Sequence, residues 1–198
     1  MPRIEPLKRE DLAQYDDMFQ HLEEFFGYLP NDYQTMARKP GLLEAVAQLT
    51  ETCLFSEHCK LPMDLRMMIC YVSSRAAGCQ YCTAHSAELT SRFGVSLEKV
   101  QNVMDYENQD FTDAEKAALR IAHGANQIPN AVTDADFDEA RKHFSDEEIV
   151  DIVSLISMMS VYNKWNDTMA TSLEKPPAAF SQDSLAEGGW KLGKHAAS

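Results

Sequence analysis

The sequence predicts an all-α protein, a single-domain antiparallel helical bundle. Apolar residues recur at helical spacing in successive segments, several of these segments begin with helix-capping residues, and the strict alternation typical of β-strands is missing. Short connections between such helices usually make them antiparallel neighbours. These three features leave little room for a sheet.

The individual helices follow from the same signals. Residues 10–28 carry one apolar stripe, Thr112 and Ser145 each precede a glutamate by three residues as in a capping box, and Gly78 and Gly94 are natural helix ends. The predicted helices are 10–28, 31–36, 42–55, 62–77, 79–93, 96–106, 113–126, 133–144 and 145–169.

Three regions are predicted along the chain: an N-terminal helical extension at 1–39, the helical domain at 40–172 and a C-terminal tail at 173–198. After residue 175 the chain is rich in Ser, Gly, Ala and isolated charges, with Phe180 and Trp190 as its only large anchors. We interpret this segment as a flexible tail. The alternative is an arm laid over a neighbouring subunit.

Composition limits the possible partners and compartment. The 198 residues carry a net charge of -13, which argues against nucleic acid or an anionic membrane as a partner. The first residues lack the features of a signal or transit peptide, and five cysteines without a paired framework favour a reducing compartment. The longest apolar stretch, 149–162, is too short to span a bilayer and predicts a buried helix. We expect a cytoplasmic protein.

One stretch, 77–86, combines residues that suggest a thiol site. Cys79 and Cys82 are three residues apart, and His85 and Ser86 continue the same helical face, directly after Gly78. Two cysteines one helical turn apart can form a disulfide, but a loop this short stabilises the fold little, so the pair suits redox switching. A helix N-terminus would favour the thiolate of Cys79, and His85 is placed to exchange a proton with Cys82.

Other interpretations of this stretch remain open at the level of sequence. The two cysteines and His85 could be three ligands of a structural zinc, with a fourth ligand from His58, Cys59 or Cys70. They could also be buried small hydrophobes beside a structural histidine. Because a second metal-binding pair is missing, we expect neither a metal nor a cofactor.

The same residues resemble a known family. GCQYCTAHS at 78–86, preceded by LRMMI at 65–69, is similar to the alkylhydroperoxidase D-like, carboxymuconolactone decarboxylase superfamily, and within it to the peroxidase-related branch. Similar segments follow at AVTDADF (131–137), FSDEEIV (144–150) and NKWNDT (163–168). The resemblance covers roughly residues 40–172.

The resemblance implies an all-helical subunit that assembles into trimers or hexamers. It also implies that a peroxide oxidises Cys82 to a sulfenic acid, that the more exposed Cys79 resolves it to a disulfide, and that His85 carries the proton. The expected partners are a small peroxide substrate and a dithiol reductant protein or small thiol.

Two departures from the family pattern are visible. The position of the family's relay glutamate, twelve residues before the first cysteine, is Met67, which cannot transfer a proton. The histidine follows Cys82 by three residues instead of four, so that Ser86 occupies the usual histidine site. Glu88, one turn beyond the histidine, is a candidate to orient its ring.

Further supporting candidates are less specific. Tyr81 could donate a hydrogen bond, and His123 could line the pocket, although each also fits a packing role. Trp165, Asn166 and Asp167 are interpreted first as packing and capping residues, with pocket residues as the alternative.

Three functions are therefore considered. The leading prediction is an enzyme, a thiol-dependent peroxidase or disulfide oxidoreductase that reduces organic or hydrogen peroxide through its CxxC pair. The alternatives are a carboxymuconolactone decarboxylase-like lyase or isomerase that works without thiol turnover, and a non-catalytic redox-sensing assembly module.

Overall fold

A computed structural model describes residues 2–196. Within this range the chain forms ten α-helices and no strand, which confirms the predicted all-α class. The helices are α1 (Asp16–Phe26), α2 (Asn31–Met36), α3 (Leu42–Thr50), α4 (Met63–Ala77), α5 (Gln80–Arg92), α6 (Leu97–Gln101), α7 (Asp113–Ala125), α8 (Asp134–Ala140), α9 (Asp146–Met169) and α10 (Lys175–Leu185).

Local sequence explains where most of these helices begin. Thr112 and Ser145 accept hydrogen bonds from the backbone N–H three residues on, and Glu115 and Glu148 bond back to the cap residue, so both predicted capping boxes are confirmed. Some predicted helices are shorter or divided. A 3₁₀ turn at Arg9–Tyr15 precedes α1, and the segment 96–106 breaks after Gln101 into a second 3₁₀ turn.

Helix α4 is the centre of the bundle. Every residue from Leu65 to Ser74 is buried, and the helix packs against α5, α7 and α9. Burial on all sides explains why its apolar residues do not form a single stripe. Within the described residues, none of the helices combines the length and hydropathy needed to cross a bilayer.

The prediction of a flexible tail is wrong for the part of it that the structure describes. We call residues 173–196 the C-terminal segment; residues 197–198 lie outside the described range. The segment contains α10, which packs on α5, and a 3₁₀ turn at Gly193–His195, and both Trp190 and His195 are buried. Its few large side chains are buried against the rest of the chain, and the Trp190 indole N–H donates to the Gln80 carbonyl at 3.1 Å.

Candidate active site

A sharp corner between α4 and α5 positions the two cysteines. Gly78 ends α4 in the left-handed conformation, at φ 75°, which a residue with a Cβ rarely adopts. The next residue, Cys79, is therefore the N-cap of α5, and its Sγ accepts a hydrogen bond from the Cys82 N–H at 3.4 Å. All five cysteines of the chain are free thiols.

Cys82 is buried and held by an amide. The Asn166 Nδ2 lies 3.6 Å from its Sγ. Burial, together with the hydrogen bond and charge of Cys79, raises the pKa of Cys82 well above its ordinary value, while the Asn166 amide acts in the opposite direction. Cys82 is therefore a protonated thiol at neutral pH.

The Cys82 thiol opens into a small cavity between α4, α5 and α9. The cavity holds about 90 Å³. Its walls are mostly apolar and include Met67, the residue at the position of the family's relay glutamate. The lining residues are Phe26, Pro30, Asp32, Tyr33, Thr50, Leu54, Met67, Cys70, Tyr81, Cys82, His85, Ser86, Leu89, Met158, Met159, Tyr162 and Asn166.

A carboxylate from the C-terminal segment, Glu174, lies beside His85. The His85 Nε2 lies 2.7 Å from the Glu174 Oε2 in a buried ion pair. The Tyr81 hydroxyl donates to the other carboxylate oxygen at 2.9 Å, and the Asn31 N–H donates to the same oxygen. Burial lowers the pKa of His85, but the charge and hydrogen bond of Glu174 outweigh it, so that the pKa is raised overall.

The second nitrogen of His85 is linked to another carboxylate through Tyr28. The Tyr28 hydroxyl lies 3.2 Å from the His85 Nδ1 and 3.3 Å from the Glu88 Oε2. Burial and the nearby carboxylates raise the pKa of Tyr28, so it stays a neutral phenol. Glu88, predicted to orient His85, has a hydrogen-bond link to the ring only through this phenol, although its charge also raises the pKa of His85.

A further titratable group, Asp32, lines the same cavity. One carboxylate oxygen accepts from the Tyr33 N–H at 2.9 Å and the other from the Asn166 Nδ2, also at 2.9 Å. The amide of Asn166 thus contacts both Asp32 and Cys82. Burial raises the pKa of Asp32 to about 6, which places its proton exchange near neutral pH.

The structure brings most of the predicted site residues together. Residues 78–86, which we call the cysteine corner, place Cys79, Cys82 and His85 on one face. The Tyr81 ring lies 4.5 Å from the His85 ring, centroid to centroid. The Ser86 hydroxyl lines the cavity but donates to the Cys82 carbonyl at 2.6 Å, a bond within the helix.

Two expectations are wrong. His123 does not line the cavity; it lies on α7 with its ring against Tyr106. Cys79 is not the more exposed thiol, since its exposed fraction is 0% against 4% for Cys82. The reason is the C-terminal segment, which the prediction left flexible and which covers the start of α5 with Trp190 and His195.

The residues that set the charge of the site were missed by sequence reasoning. Glu174 directly precedes Lys175 and two prolines, a context typical of a helix start, and Tyr28 and Asp32 flank the Pro30 turn between two short helices. The only usable signal was Asn166, which belongs to the family-like segment 163–168 and was interpreted first as a packing residue.

The geometry does not support a zinc ion held by Cys79, Cys82 and His85, because the His85 Nε2 is engaged by Glu174. The described residues do contain one group of side chains able to hold a metal ion, formed by Cys79, Asp167 and His195.

Comparison with known proteins agrees with this architecture. The model of the carboxymuconolactone decarboxylase family matches residues 40–124. The structure of the debrominase Bmp8 is 31% identical, with a TM-score of 0.83, and the match covers 91% of this chain and 96% of Bmp8. A Bmp8 variant in complex with 2,3,4-tribromopyrrole gives 30% identity, the same coverage and a TM-score of 0.84.

Two further matches are more distant in sequence. A peroxidase-related protein from Ralstonia eutropha JMP134, described as an alkylhydroperoxidase AhpD core, is 21% identical over 89% of this chain and 94% of its own, with a TM-score of 0.80. The uncharacterized protein YdfG of Bacillus subtilis is 27% identical over 95 residues, which span 47% of this chain and 63% of YdfG. With about 30% identity across nearly all of Bmp8 and the family match over the two cysteines and His85, the chain belongs to the carboxymuconolactone decarboxylase family.

Proposed function

We propose that the protein is a thiol-dependent reductase in which Cys82 attacks a small apolar electrophile and Cys79 resolves the product to a disulfide. The observation that carries the proposal is the position of Cys82, buried in the wall of an apolar cavity beside a second thiol. Two groups of opposite charge, Asp32 and His85, line the same cavity.

The two ionisable groups take complementary roles. Asp32, with a pKa of about 6, is mostly ionised at neutral pH and accepts the Cys82 proton. His85, whose pKa Glu174 raises, in its protonated form stabilises the developing charge and donates a proton to the leaving group. Titratable groups whose environments assign them opposite roles are typical of acid–base catalysis.

With a hydroperoxide, the Cys82 thiolate takes the terminal oxygen and becomes a sulfenic acid, while the alkoxide leaves with a proton from His85. The Cys79 thiol then attacks the Cys82 sulfur, water leaves and the disulfide forms. A dithiol protein or small thiol returns two electrons and two protons to complete the cycle.

Reductive dehalogenation is a second candidate, favoured by the similarity to the debrominase Bmp8. A brominated ring would gain a proton and two electrons from the dithiol, bromide would leave, and the same disulfide would form. Met67 supports this candidate, because a thioether in place of a carboxylate keeps this part of the cavity apolar and suits an aromatic ring better than a hydrophilic peroxide.

The test is stopped-flow oxidation of the fully reduced protein by cumene hydroperoxide, hydrogen peroxide and 2,3,4-tribromopyrrole, with mass spectrometry of the cysteine peptides. We expect a disulfide between Cys79 and Cys82 with at least one of these substrates. Cys82→Ser should abolish it, and Cys79→Ser should stop the peroxide reaction at the sulfenic acid.

Cys59 provides the matched control. It does not line the cavity, and burial raises its pKa, so Cys59→Ser should leave the reaction unchanged. Oxidation no faster than that of free cysteine, or oxidation that persists in Cys82→Ser, would contradict the proposal and favour a lyase or an assembly module.

We further propose that the chain forms a homo-oligomer. Val150, Val153 and Val161 lie exposed on one face of α9, whereas other residues of this helix are buried in the bundle. Val153→Lys combined with Val161→Lys should shift the mass measured by light scattering toward the monomer, whereas an unchanged mass would argue against this face as the interface.

A further inference from the structure

Three metal-ligating side chains meet where the C-terminal segment crosses the start of α5. The Cys79 Sγ, an Asp167 carboxylate oxygen and a His195 ring nitrogen all lie within 4.8 Å of one another. Sulfur, imidazole nitrogen and carboxylate oxygen are the three ligand types that zinc accepts in proteins. Within residues 2–196 this is the only such group of His, Cys, Asp and Glu side chains.

His195 is prepared to act as a ligand. Its Nδ1 lies 2.7 Å from the Thr171 carbonyl oxygen, which can only accept, so this nitrogen carries the hydrogen and the Nε2 presents a bare lone pair. The residue is fully buried, and its Nε2 has no hydrogen-bond partner among the described residues.

An orphaned nitrogen at this depth is unusual, because buried polar atoms are nearly always paired. A histidine that donates one ring N–H to a backbone carbonyl and directs the other nitrogen at a cluster of donors has the second-shell arrangement of metal-bound histidines. The backbone also fixes the ring in place, since the Leu173 N–H donates to the His195 carbonyl at 2.8 Å.

Cys79 fits the thiolate position of such a site. As the N-cap of a 13-residue helix it receives the Cys82 N–H, and both this bond and the helix dipole stabilise negative charge on its sulfur. Its burial keeps competing water away from a metal–sulfur bond.

Asp167 lies on the solvent-exposed side of the site, where Lys194 competes with a metal ion for its carboxylate. Its side chain is 42% exposed, and its Oδ1 lies 2.7 Å from the Lys194 Nζ and 4.0 Å from the His195 Nε2. An exposed ion pair of this kind contributes little free energy, so Lys194 can turn away into solvent. Tetrahedral zinc requires ligand atoms about 3.3–3.8 Å apart, which calls for only a small contraction of the group.

We propose that Cys79, His195 and Asp167 bind a thiophilic divalent cation, with Zn²⁺ preferred and solvent in the fourth position. A metal-bound Cys79 cannot attack the Cys82 sulfur, so metal binding and the dithiol cycle exclude each other. This last consequence rests on the proposed function, whereas the binding itself does not.

The test is titration of the fully reduced protein with Co²⁺, followed by the sulfur-to-cobalt charge-transfer absorption, and displacement of Co²⁺ by Zn²⁺ in a calorimeter. We expect one ion per chain and a charge-transfer band that is lost in Cys79→Ser but retained in Cys82→Ser. Because Cys82→Ser lacks the proposed nucleophile, its metal affinity is measured independently of catalysis.

The other ligands provide the specific controls. His195→Gln and Asp167→Asn should each weaken Zn²⁺ binding by at least the roughly 10- to 100-fold that loss of a second-shell partner costs. Lys194→Met removes the competitor and should tighten binding. Circular dichroism melting of each variant establishes that it is folded, and Asp167 and Lys194 are exposed enough for their replacement to leave the core unchanged.

Two results would overturn the proposal. One is the absence of a charge-transfer band in the reduced wild-type protein. The other is a band that disappears in Cys82→Ser but persists in His195→Gln, which would place the ion at the cysteine pair and His85 instead.

Discussion

The cysteine corner and the segments outside the family match contribute different things to the site. The match covers residues 40–124, which contain both thiols and His85. The partners that set their charge, Asp32 and Glu174, come from outside that range. In the proposed function, the reacting thiols therefore lie within the region that matches the family, while residues near the two chain ends adjust how these thiols and His85 exchange protons.

The largest effect on the fold should come from the C-terminal segment. Trp190→Ala removes a buried indole that anchors the segment over Cys79, and loss of such a side chain costs about 3–5 kcal/mol of unfolding free energy. Urea denaturation measures this loss, and alkylation followed by mass spectrometry should show faster modification of Cys79 relative to Cys70.

Lys191 offers a control on the same segment, because it is exposed and Lys191→Ala should change neither quantity. If Trp190→Ala left both the stability and the relative alkylation of Cys79 unchanged, the C-terminal segment would not contribute to the site by covering Cys79.

The next largest effect should come from the charge of Glu174. Glu174→Gln keeps the size of the side chain but removes the ion pair with His85, so the pKa of His85 should fall. Because a positioned acid contributes roughly 10²–10⁴ in rate, we expect about a 100-fold slower oxidation of Cys82 at pH 7.5.

The pH dependence gives the sign of this effect. At a pH acidic enough for His85 to be protonated in both proteins their rates should converge, and they should diverge as the pH rises toward 8, because the variant loses this proton first. Glu88→Gln is the matched control, since this carboxylate has a hydrogen-bond link to His85 only through Tyr28 and its charge affects the pKa of His85 less than that of Glu174. A constant ratio of the two rates across this range would show that Glu174 acts by shape alone.

These residues also show how far the sequence could lead. The helices, the capping boxes and the position of Cys79, Cys82 and His85 on one face follow from periodicity and local capping, both of which act over a few residues. The contact between His85 and Glu174 spans 89 positions and depends on how the C-terminal segment packs, which no local pattern encodes.

The packing of the C-terminal segment could not be predicted from the sequence for the same reason. Its composition is typical of a flexible tail, yet a few side chains such as Trp190 and His195 enter a groove formed by the rest of the chain. For Asp32, the raised pKa results from burial by neighbouring helices, so it was visible only once the fold was known.

Asp32 should affect stability more mildly, and in a way that depends on pH. A carboxyl whose folded pKa is raised from 3.8 to about 6 holds its proton longer in the folded state, so the free energy of unfolding falls as the pH rises through this interval. The expected decrease is on the order of 2–3 kcal/mol between pH 4 and pH 7.

Asp32→Asn should remove that decrease, which urea denaturation at several pH values measures. The carboxamide of Asn166, whose Oδ1 lacks a partner among the described residues, can turn to accept from the new amide. Asp183→Asn, at an exposed position, is the control. If the free energy of unfolding changed with pH in the same way in the wild-type protein and in Asp32→Asn, folding would not raise the pKa of Asp32.

The smallest expected effect is that of replacing Tyr28, whose hydroxyl lies between the His85 ring and the Glu88 carboxylate. Its hydroxyl can donate either to the His85 Nδ1 or to the Glu88 Oε2, and never to both. When His85 is neutral the phenol donates to the ring, and when His85 is charged the ring donates to the phenol, which then turns to Glu88. Each protonation state keeps a partner, so Tyr28→Phe should slow turnover only a few-fold, about the 1 kcal/mol of one hydrogen bond.

A double-mutant cycle between Tyr28→Phe and Glu88→Gln decides whether this link exists. If the phenol turns to Glu88 when His85 is charged, removing either group abolishes the same interaction, and the double variant should be no slower than Tyr28→Phe alone. Tyr15→Phe, which breaks a hydrogen bond to Glu44 away from the cavity, should be additive with Glu88→Gln. Full additivity of Tyr28→Phe and Glu88→Gln would mean that Glu174 alone controls the protonation of His85. Asp32 would then be the only N-terminal residue that affects proton exchange at the site.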